Sequence, residues 1–209
     1  MKVWSDSFAD GGTIPDTFAF CVPAPVGHVT FGPNRSPHLA WDDAPQASRS
    51  FVVTCVDPTA PTVGDDVNKE GRTVPASLPR GPFVHWVLID LPRNTRVLAE
   101  GAWSDGVTQR GKGPLGPDAG VRTCQNDYTG WFTGNPDMAG RYYGYDGPAP
   151  PWNDELVHRY VFTVYATDFD IVPVEGDFSH AAVMKVLEGH ILAQASIEGT
   201  YTLTATLRR

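Results

Sequence analysis

Three short, nearly unbroken runs of apolar residues limit what this chain can fold into. They are FVVTCV at residues 51–56, FVHWVLIDL at 83–91 and RYVFTVYAT at 159–167. Each is rich in β-branched or aromatic residues, which favours strands. Because successive side chains of a strand point to opposite faces of the sheet, an unbroken apolar run predicts a central strand buried on both faces. Pro58 and Pro92 follow the first two runs, and since proline has no N–H to donate, we expect these strands to end there.

Two further elements are predicted near the C-terminus. Residues 199–207 (GTYTLTATL) alternate threonine with apolar residues, which is typical of a strand with one wet face. Residues 179–193 (SHAAVMKVLEGHILA) repeat apolar side chains every three to four positions behind Ser179, a favourable N-cap, and predict a helix whose last turn Gly189 weakens. Residues 101–151 contain many glycines and prolines without clear periodicity, which predicts a long, ordered surface loop.

The composition indicates one folded domain that spans residues 1–209. Of the 209 residues 41% are hydrophobic, which is enough for a core, and the 21 glycines and 19 prolines follow no period, as expected of turns between short elements. The formal charge of −8 argues against non-specific nucleic-acid binding, which needs a basic surface. No apolar stretch reaches the ~18 residues that a membrane span requires, so we expect no transmembrane segment. The 3 cysteines are widely spaced, which indicates reduced thiols and a cytoplasmic location.

Polar residues within the predicted strands, or at their ends, are candidates for a binding site. Asp57 begins DPTAP after the first strand, His85 lies within the second, and His158 and Tyr160 open the third behind GPAPP at 147–151. Flanking prolines fix the backbone, so DPTAP and GPAPP predict the rigid walls of a preformed pocket. We therefore expect the four side chains to converge on one cavity. Two imidazoles and a phenol can donate hydrogen bonds to an oxyanion, and a nearby carboxylate can hold a histidine in the state that does so.

Five motifs follow one another along nearly the whole chain. They are SPHLAW at 36–41, FVVTCVDPTAPT at 51–62, VHWVL at 84–88, GYDGPAPP at 144–151 and HRYVFTVYATD at 158–168. In this order they resemble the phosphatidylethanolamine-binding protein (PEBP) family, and within it the bacterial YbhB/YbcL branch of Raf-kinase-inhibitor-like proteins. An ordered set of five motifs is far more specific than any one of them. The resemblance implies a mainly β fold: a globule of two antiparallel sheets with a C-terminal helix.

The resemblance also implies a pocket for a small anion such as a phosphate or a carboxylate. At the matching positions, the candidate ligand-binding residues are Asp57, Ala60, Pro61, Phe83, His85, Gly147, Pro148, His158 and Tyr160. Thr59 stands where relatives commonly have a second aspartate, so the loop has one carboxylate fewer. The segment 63–82 is longer and more charged than is expected of the bacterial branch, which makes it a candidate to reshape the pocket mouth.

Structural explanations compete with these assignments. A histidine such as His85 in an apolar strand is also typical of a satisfied core residue, Tyr160 of an ordinary buried aromatic residue, and DPTAP of a plain turn. The remaining histidines have no partner pattern, and we assign them to structure or solvent: His28, His38, His180 and His190. The aromatic residues around Trp131 are assigned to packing, with a pocket lid as the alternative.

Two classes of function remain open. A binding or regulatory module would recognise an anionic lipid headgroup or a phosphorylated group, and the resemblance adds kinase or signalling regulation. A metal-dependent enzyme would use Asp57, His85 and His158 as a two-His-one-carboxylate face, although their spacing matches no signature. Since no G-x-S-x-G elbow and no Cys–His nucleophile is visible, we prefer binding, with no catalytic residue, no metal and no cofactor. A protease inhibitor, a protein partner and a homodimer stay open.

Overall fold

The computed structural model describes residues 1–114 and 120–208, and its main feature is a six-stranded sheet. In order across the sheet, the strands are β2 (Gly12–Thr13), β11 (Ile191–Tyr201), β10 (His158–Thr167), β6 (Ser50–Pro61), β7 (Arg80–Pro92) and β9 (Arg122–Thr123). The pairings are antiparallel apart from that of β2 with β11, which is parallel. The three apolar runs therefore form β6, β7 and β10, which lie side by side in this sheet.

Alternate side chains of these three strands enter two separate cores. The larger core contains Phe51, Val53, Cys55, Trp86, Leu88 and Phe162 from the strands. The smaller core contains Val52, Val87 and Ile89, together with Val183 and Leu187 of helix α2 (His180–Leu187). Because each strand has a core on either side, its apolar run is unbroken, as predicted.

Smaller elements surround this sheet. A three-stranded sheet has the order β1 (Lys2–Trp4), β5 (Leu39–Asp42) and β8 (Val97–Leu98), and a hairpin consists of β3 (Cys21–Pro23) and β4 (Val29–Phe31). The remaining helical turns are α1 (Tyr128–Trp131) and the 3-10 turns Asp16–Phe18 and Ala205–Leu207. The mainly β fold is thus confirmed, and the described residues form three sheets rather than the two that were predicted.

The first strand was predicted to end at Pro58, but it continues past this residue. β6 continues to Pro61, and its pairing with β7 shifts register between Asp57 and Ala60, so that Pro58 and Thr59 form a bulge. A bulge leaves residues outside the ladder of hydrogen bonds, which is how a strand accommodates a proline without an N–H. DPTAP, predicted as a rigid wall with a plain turn as the competing explanation, is therefore a bulged continuation of the strand.

The predicted helix is shorter, and the final strand begins earlier, than the sequence pattern indicated. Ser179 caps α2 as predicted, by accepting a hydrogen bond from the Ala182 N–H at 3.2 Å. The helix ends two residues before Gly189, whose φ of +79° is incompatible with a helix. β11 then begins at Ile191, so the predicted strand 199–207 overlaps it only at 199–201. The three-to-four spacing of apolar residues made the start of β11 resemble helix.

The glycine- and proline-rich stretch 101–151 is mostly loop, with β9 and α1 inside it, and its residues 115–119 lie outside the described part of the chain. Cys21, Cys55 and Cys124 are free thiols. Within residues 1–114 and 120–208, no helix is long and apolar enough to cross a membrane.

Candidate functional site

Neighbouring ends of β6, β7 and β10 form the floor of a cavity with a volume of about 210 Å³. Asp57 lies on β6, Phe83 and His85 on β7, and His158 and Tyr160 on β10. Residues two apart on a strand share a face of the sheet, and β6 pairs with both other strands. The sheet thus brings side chains that are far apart in the sequence to one cavity.

Seven of the nine residues predicted to bind a ligand line this cavity. They are Asp57, Ala60, Pro61, Phe83, His85, His158 and Tyr160. Gly147 and Pro148 are not part of its lining, which contains Ala149, Pro150 and Pro151 of the same segment instead. The segment 147–151 therefore lines the cavity through Ala149, Pro150 and Pro151 rather than through Gly147 and Pro148.

Gly147 and Pro148 hold this wall in place from behind. A Cβ on Gly147 would lie 1.9 Å from the carbonyl oxygen of Phe18 and 2.8 Å from the hydroxyl of Tyr145, so only glycine fits. The Pro148 carbonyl accepts hydrogen bonds from the N–H groups of Phe20 at 2.9 Å and of Cys21 at 3.2 Å. The wall therefore packs closely against residues 18–21 and is hydrogen-bonded to them.

Four charged side chains that alternate in sign form a chain, which begins in the cavity lining with Asp57 and His158 and continues outside the lining with Asp154 and Arg80. Arg80 donates two hydrogen bonds to Asp154, at 2.6 and 2.9 Å. His158 Nε2 lies 3.1 Å from Asp154, and His158 Nδ1 lies 2.6 Å from Asp57. A proton is needed on each ring nitrogen to face two carboxylates, so His158 is an imidazolium and the four charges sum to zero. No ring nitrogen of His158 remains for a ligand, and its role changes from the predicted donor to a buried counter-ion.

The pKa values of this ion chain follow from the same contacts. Burial by itself lowers the pKa of His158, but the hydrogen bonds to Asp154 and Asp57 outweigh burial and raise it. Burial by itself raises the pKa of Asp154, but the hydrogen bonds from His158 and Arg80 bring it to about 2. Near neutral pH the charged forms of His158 and Asp154 are therefore favoured.

Thr59 completes the hydrogen bonds of Asp57. Its N–H and its hydroxyl donate to Asp57 Oδ1 at 2.7 and 2.5 Å, while Oδ2 faces His158. The same hydroxyl accepts the N–H of Arg159 at 3.1 Å. The threonine in DPTAP thus connects the bulge of β6 to β10, and a carboxylate in its place would repel Asp57.

His85 is held in the neutral state. Its Nδ1 lies 2.8 Å from the backbone carbonyl oxygen of Asp146, which can only accept, so Nδ1 carries the proton. Burial lowers the pKa of His85, although the charge of Asp57 and the hydrogen bond to Asp146 oppose this. The rings of Phe83 and Tyr160 lie 5.0 and 5.1 Å from it. Nε2 of the neutral ring therefore presents a lone pair.

The side chain of Asp146 fixes the carbonyl group that orients His85. Its buried carboxylate accepts hydrogen bonds from Asn34 at 2.9 Å, Lys112 at 2.5 Å and Asn126 at 2.8 Å. Asn34 Oδ1 accepts the N–H of Gly147 at 2.8 Å. Sequence reasoning missed these three partners, because isolated asparagines and a lysine form no motif with Asp146 until the fold brings them together.

Among the polar groups of the cavity lining, three that lie on the strands or on the wall segment 147–151 have no hydrogen-bond partner among residues 1–114 and 120–208: His85 Nε2, the Tyr160 hydroxyl and the backbone N–H of Ala149. Burial raises the pKa of Tyr160, so its hydroxyl keeps its proton. The cavity thus offers an acceptor, an N–H donor and a hydroxyl that can do both.

The rest of the lining is mainly apolar and forms a throat above the floor. Five aromatic residues of this throat were not predicted as ligand-binding residues: Phe20, Phe31, Tyr128, Trp131 and Phe132. Phe31 and Trp131 are each 48% exposed and lie at the mouth. Tyr128 and Phe132 are four residues apart with ring centroids 5.7 Å apart, a spacing that could have indicated a shared face. Val67 and Asn68 of the long segment 63–82 also line the cavity.

Four further histidines are not part of this lining: His28, His38, His180 and His190.

The predicted alternative of a metal-binding face has no support in the geometry. In the described part of the chain, no three His, Cys, Asp or Glu side chains are grouped as metal ligands. A site built from Asp57, His85 and His158 would have to break the hydrogen bond between Asp57 and His158. The geometry therefore disfavours the two-His-one-carboxylate hypothesis.

Comparison with known proteins matches residues 4–202 to the family model described as phosphatidylethanolamine-binding protein. YbhB of Escherichia coli (strain K12) is 35% identical over 202 residues, which cover 97% of this chain and 100% of that protein. A relative from Aquifex aeolicus (strain VF5) is 31% identical over 202 residues, covering 96% and 88%.

Two solved structures have a similar fold. Escherichia coli YbcL, described as a member of the mammalian PEBP family, has a TM-score of 0.68 at 24% identity, covering 96% of this chain and 97% of that chain. A PEBP homolog of Chlamydia trachomatis has a TM-score of 0.63 at 24% identity, covering 96% and 95%. At 24% identity, the similarity to these two structures establishes the fold alone.

Proposed function

The chain belongs to the phosphatidylethanolamine-binding protein family, as its motifs indicate, and we propose that its cavity binds a small ligand through a phosphate or carboxylate group without converting it. One observation carries this proposal: His85 Nε2, the Tyr160 hydroxyl and the Ala149 N–H are uncommitted and belong to a cavity that is otherwise mainly apolar. Sites for small molecules typically combine an apolar lining with a few convergent polar groups.

The polar groups suit an oxyanion at the floor and an apolar group in the throat. The Tyr160 hydroxyl and the Ala149 N–H can both donate to an oxygen of the ligand. The aromatic throat can pack against the group to which that oxyanion is attached. A volume of about 210 Å³ lies below the ~300–1,000 Å³ of typical ligand pockets, so a small ligand or a headgroup fits.

Binding rather than catalysis is supported by the state of the nucleophilic side chains. Cys21 lines the cavity, and burial raises its pKa to about 12, so its thiol is protonated near neutral pH. The described lining contains no serine. His158 faces two carboxylates and activates no nucleophile.

A lipid headgroup and a phosphorylated partner in kinase or signalling regulation are narrower forms of this proposal. Both present a phosphate group, and in both cases Phe31 and Trp131 at the mouth would meet the part of the ligand that stays outside. No observation favours a protease inhibitor. A cytoplasmic location and a homodimer stay predictions.

Calorimetric titration with phenyl phosphate near pH 6 tests the proposal, because the phenyl group suits the aromatic throat. We expect Tyr160→Phe to weaken binding about tenfold to hundredfold, since a hydrogen bond to a charged group contributes ~1.5–3 kcal/mol. Tyr165→Phe is the matched control, because it removes the same hydroxyl from the same strand at a position that packs against the smaller core. No binding to the wild type, or equal affinity for Tyr160→Phe and the wild type, contradicts the proposal.

A further inference from the structure

We propose that the cavity selects a phosphate monoester in its singly protonated form, and that His85 Nε2 accepts the hydrogen bond of the ligand's P–OH group. This inference rests on the proposed function and narrows it. It specifies which oxygen acid is bound and where the acid keeps its proton.

The orientation of the His85 ring is fixed by its hydrogen bond to Asp146. The carbonyl oxygen of Asp146 lies 2.8 Å from Nδ1 and needs the ring proton on that side, so the neutral ring has only a lone pair at Nε2. The phenols packed edge-on against the ring, Tyr128 and Tyr160, have pKa values that burial raises, so both remain protonated. A bound ligand therefore meets an acceptor at Nε2 and has to supply the proton itself.

The charges around this ring disfavour a dianionic ligand. Three carboxylates act on His85: Asp57 on β6, Asp127 directly before α1, and Asp146. No lysine or arginine belongs to the described lining, and the cation His158 already faces two carboxylates. A phosphate dianion would lose its hydration without gaining an uncommitted counter-charge, which is costly. The singly protonated monoanion loses less hydration free energy when it enters the cavity.

A phosphate monoester monoanion matches the floor group by group. Its P–OH donates to His85 Nε2, while its unprotonated oxygens accept from the Tyr160 hydroxyl and the Ala149 N–H. A sulfate monoester has the same shape and a single negative charge but no proton. A phosphodiester, the form in which an intact phospholipid holds its phosphate, has no P–OH, so a phosphorylated partner or a free headgroup monoester is favoured over an intact lipid. Both the sulfate monoester and the phosphodiester would place an oxygen lone pair against the lone pair of Nε2. A carboxylic acid loses its proton near pH ~4, so it matches the floor only in acid.

Calorimetry on the wild-type protein at about pH 5.5 separates these ligands. Phenyl phosphate, phenyl sulfate and methyl phenyl phosphate share the phenyl group and carry mainly one negative charge at this pH, and only phenyl phosphate has an acidic O–H. We expect phenyl phosphate to bind at least about tenfold more tightly than the other two. Equal affinities for the three overturn this inference and leave the proposed function standing. No binding of any of them overturns both.

The pH dependence gives a second readout. The second pKa of a phosphate monoester is ~6, so the affinity for phenyl phosphate should be nearly constant below that pH and fall about tenfold per pH unit above it. An affinity that rises with pH, as expected for a dianion-binding site, overturns the inference.

The location of the proton is tested separately. ¹⁵N NMR of the histidine side chains should show His85 Nε2 unprotonated in the complex, and an imidazolium at His85 overturns the inference. In His85→Gln, the amide can donate as well as accept, so the preference for phenyl phosphate over phenyl sulfate should fall below about threefold. His190→Gln, at a half-exposed histidine outside the cavity, should keep the full preference.

Discussion

At the scale of single residues, His158 lies between two buried carboxylates, and its replacement tests the ion chain. We expect His158→Gln to lower the free energy of unfolding by about 3–5 kcal/mol, because Asp57 and Asp154 lose their shared cation. His190→Gln is the control: His190 also faces an aspartate, Asp168, but 43% of its side chain is exposed, so the loss should stay below about 1 kcal/mol. Urea unfolding near pH 6 measures both, and equal losses contradict the prediction.

The same pair of proteins has a predicted pH dependence. Because the pKa of His158 is raised in the folded state, its stabilising contribution is complete below the ordinary histidine pKa of ~6.5. That contribution is lost as the pH rises through the raised value. The stability difference between the wild type and His158→Gln should therefore shrink as the pH rises above ~6.5. A difference that grows over this range argues against the imidazolium.

Gly147→Ala tests the support of the cavity wall. The new Cβ would lie 1.9 Å from the carbonyl oxygen of Phe18, so the backbone has to move, and we expect a loss of about 3 kcal/mol, the upper end of overpacking costs. Gly130→Ala in α1 is the control, since its Cβ would meet open space and should change stability by less than about 1 kcal/mol. Similar unfolding free energies for the two variants would show that the wall tolerates a side chain.

Residues of the cavity lining could be predicted from the sequence where their type or position is distinctive. Asp57, His85, His158 and Tyr160 are polar or titratable groups in or beside strong strand signals, and all four line the cavity. Ala149 could not be identified, because its contribution is a backbone N–H that any residue other than proline supplies. The supporting partners of Asp146 were missed for a related reason: their roles depend on contacts that arise only in the fold.

At the scale of elements, the bulge in β6 is joined to β10 through Thr59. We expect Thr59→Val, which keeps the shape, to lower the free energy of unfolding by about 1–3 kcal/mol, because Asp57 loses a donor and the Arg159 N–H loses an acceptor. Thr59→Ser keeps the hydroxyl and should cost less than about 1 kcal/mol. Thermal or urea unfolding distinguishes them, and equal losses would mean that the hydroxyl does not connect the strands.

The strands differ in how well the sequence predicted them, and the difference follows from burial. β6, β7 and β10 have cores on both sides, so their apolar residues are continuous and the prediction is confirmed. β11 alternates exposed and half-exposed positions over its first half and has no such run. Its ten pairings with β10, from Thr167 opposite Ile191 to His158 opposite Tyr201, hold it in the sheet. These long-range contacts override the helical spacing at its start.

At the scale of the whole molecule, the cavity could be predicted only in part. Its floor comes from three neighbouring strands, which the motifs mark. Its throat comes from segments that share no local pattern, at residues 20–31, 67–68 and 128–132 and at Leu203. Since a single sequence contains no direct signal for contacts between such distant segments, the shape of the throat and its aromatic residues became apparent only in the structure.

That the chain forms one domain spanning residues 1–209 stays a prediction.

Amide chemical-shift mapping with phenyl phosphate shows directly whether the ligand binds in this cavity. We expect the largest shift at the Ala149 N–H, followed by His85, Tyr160 and their neighbours on the lining. The separate groove lined by Thr200 and Arg208 should show no change. If the shifts concentrate in that groove and the Ala149 N–H does not move, the cavity is not the binding site.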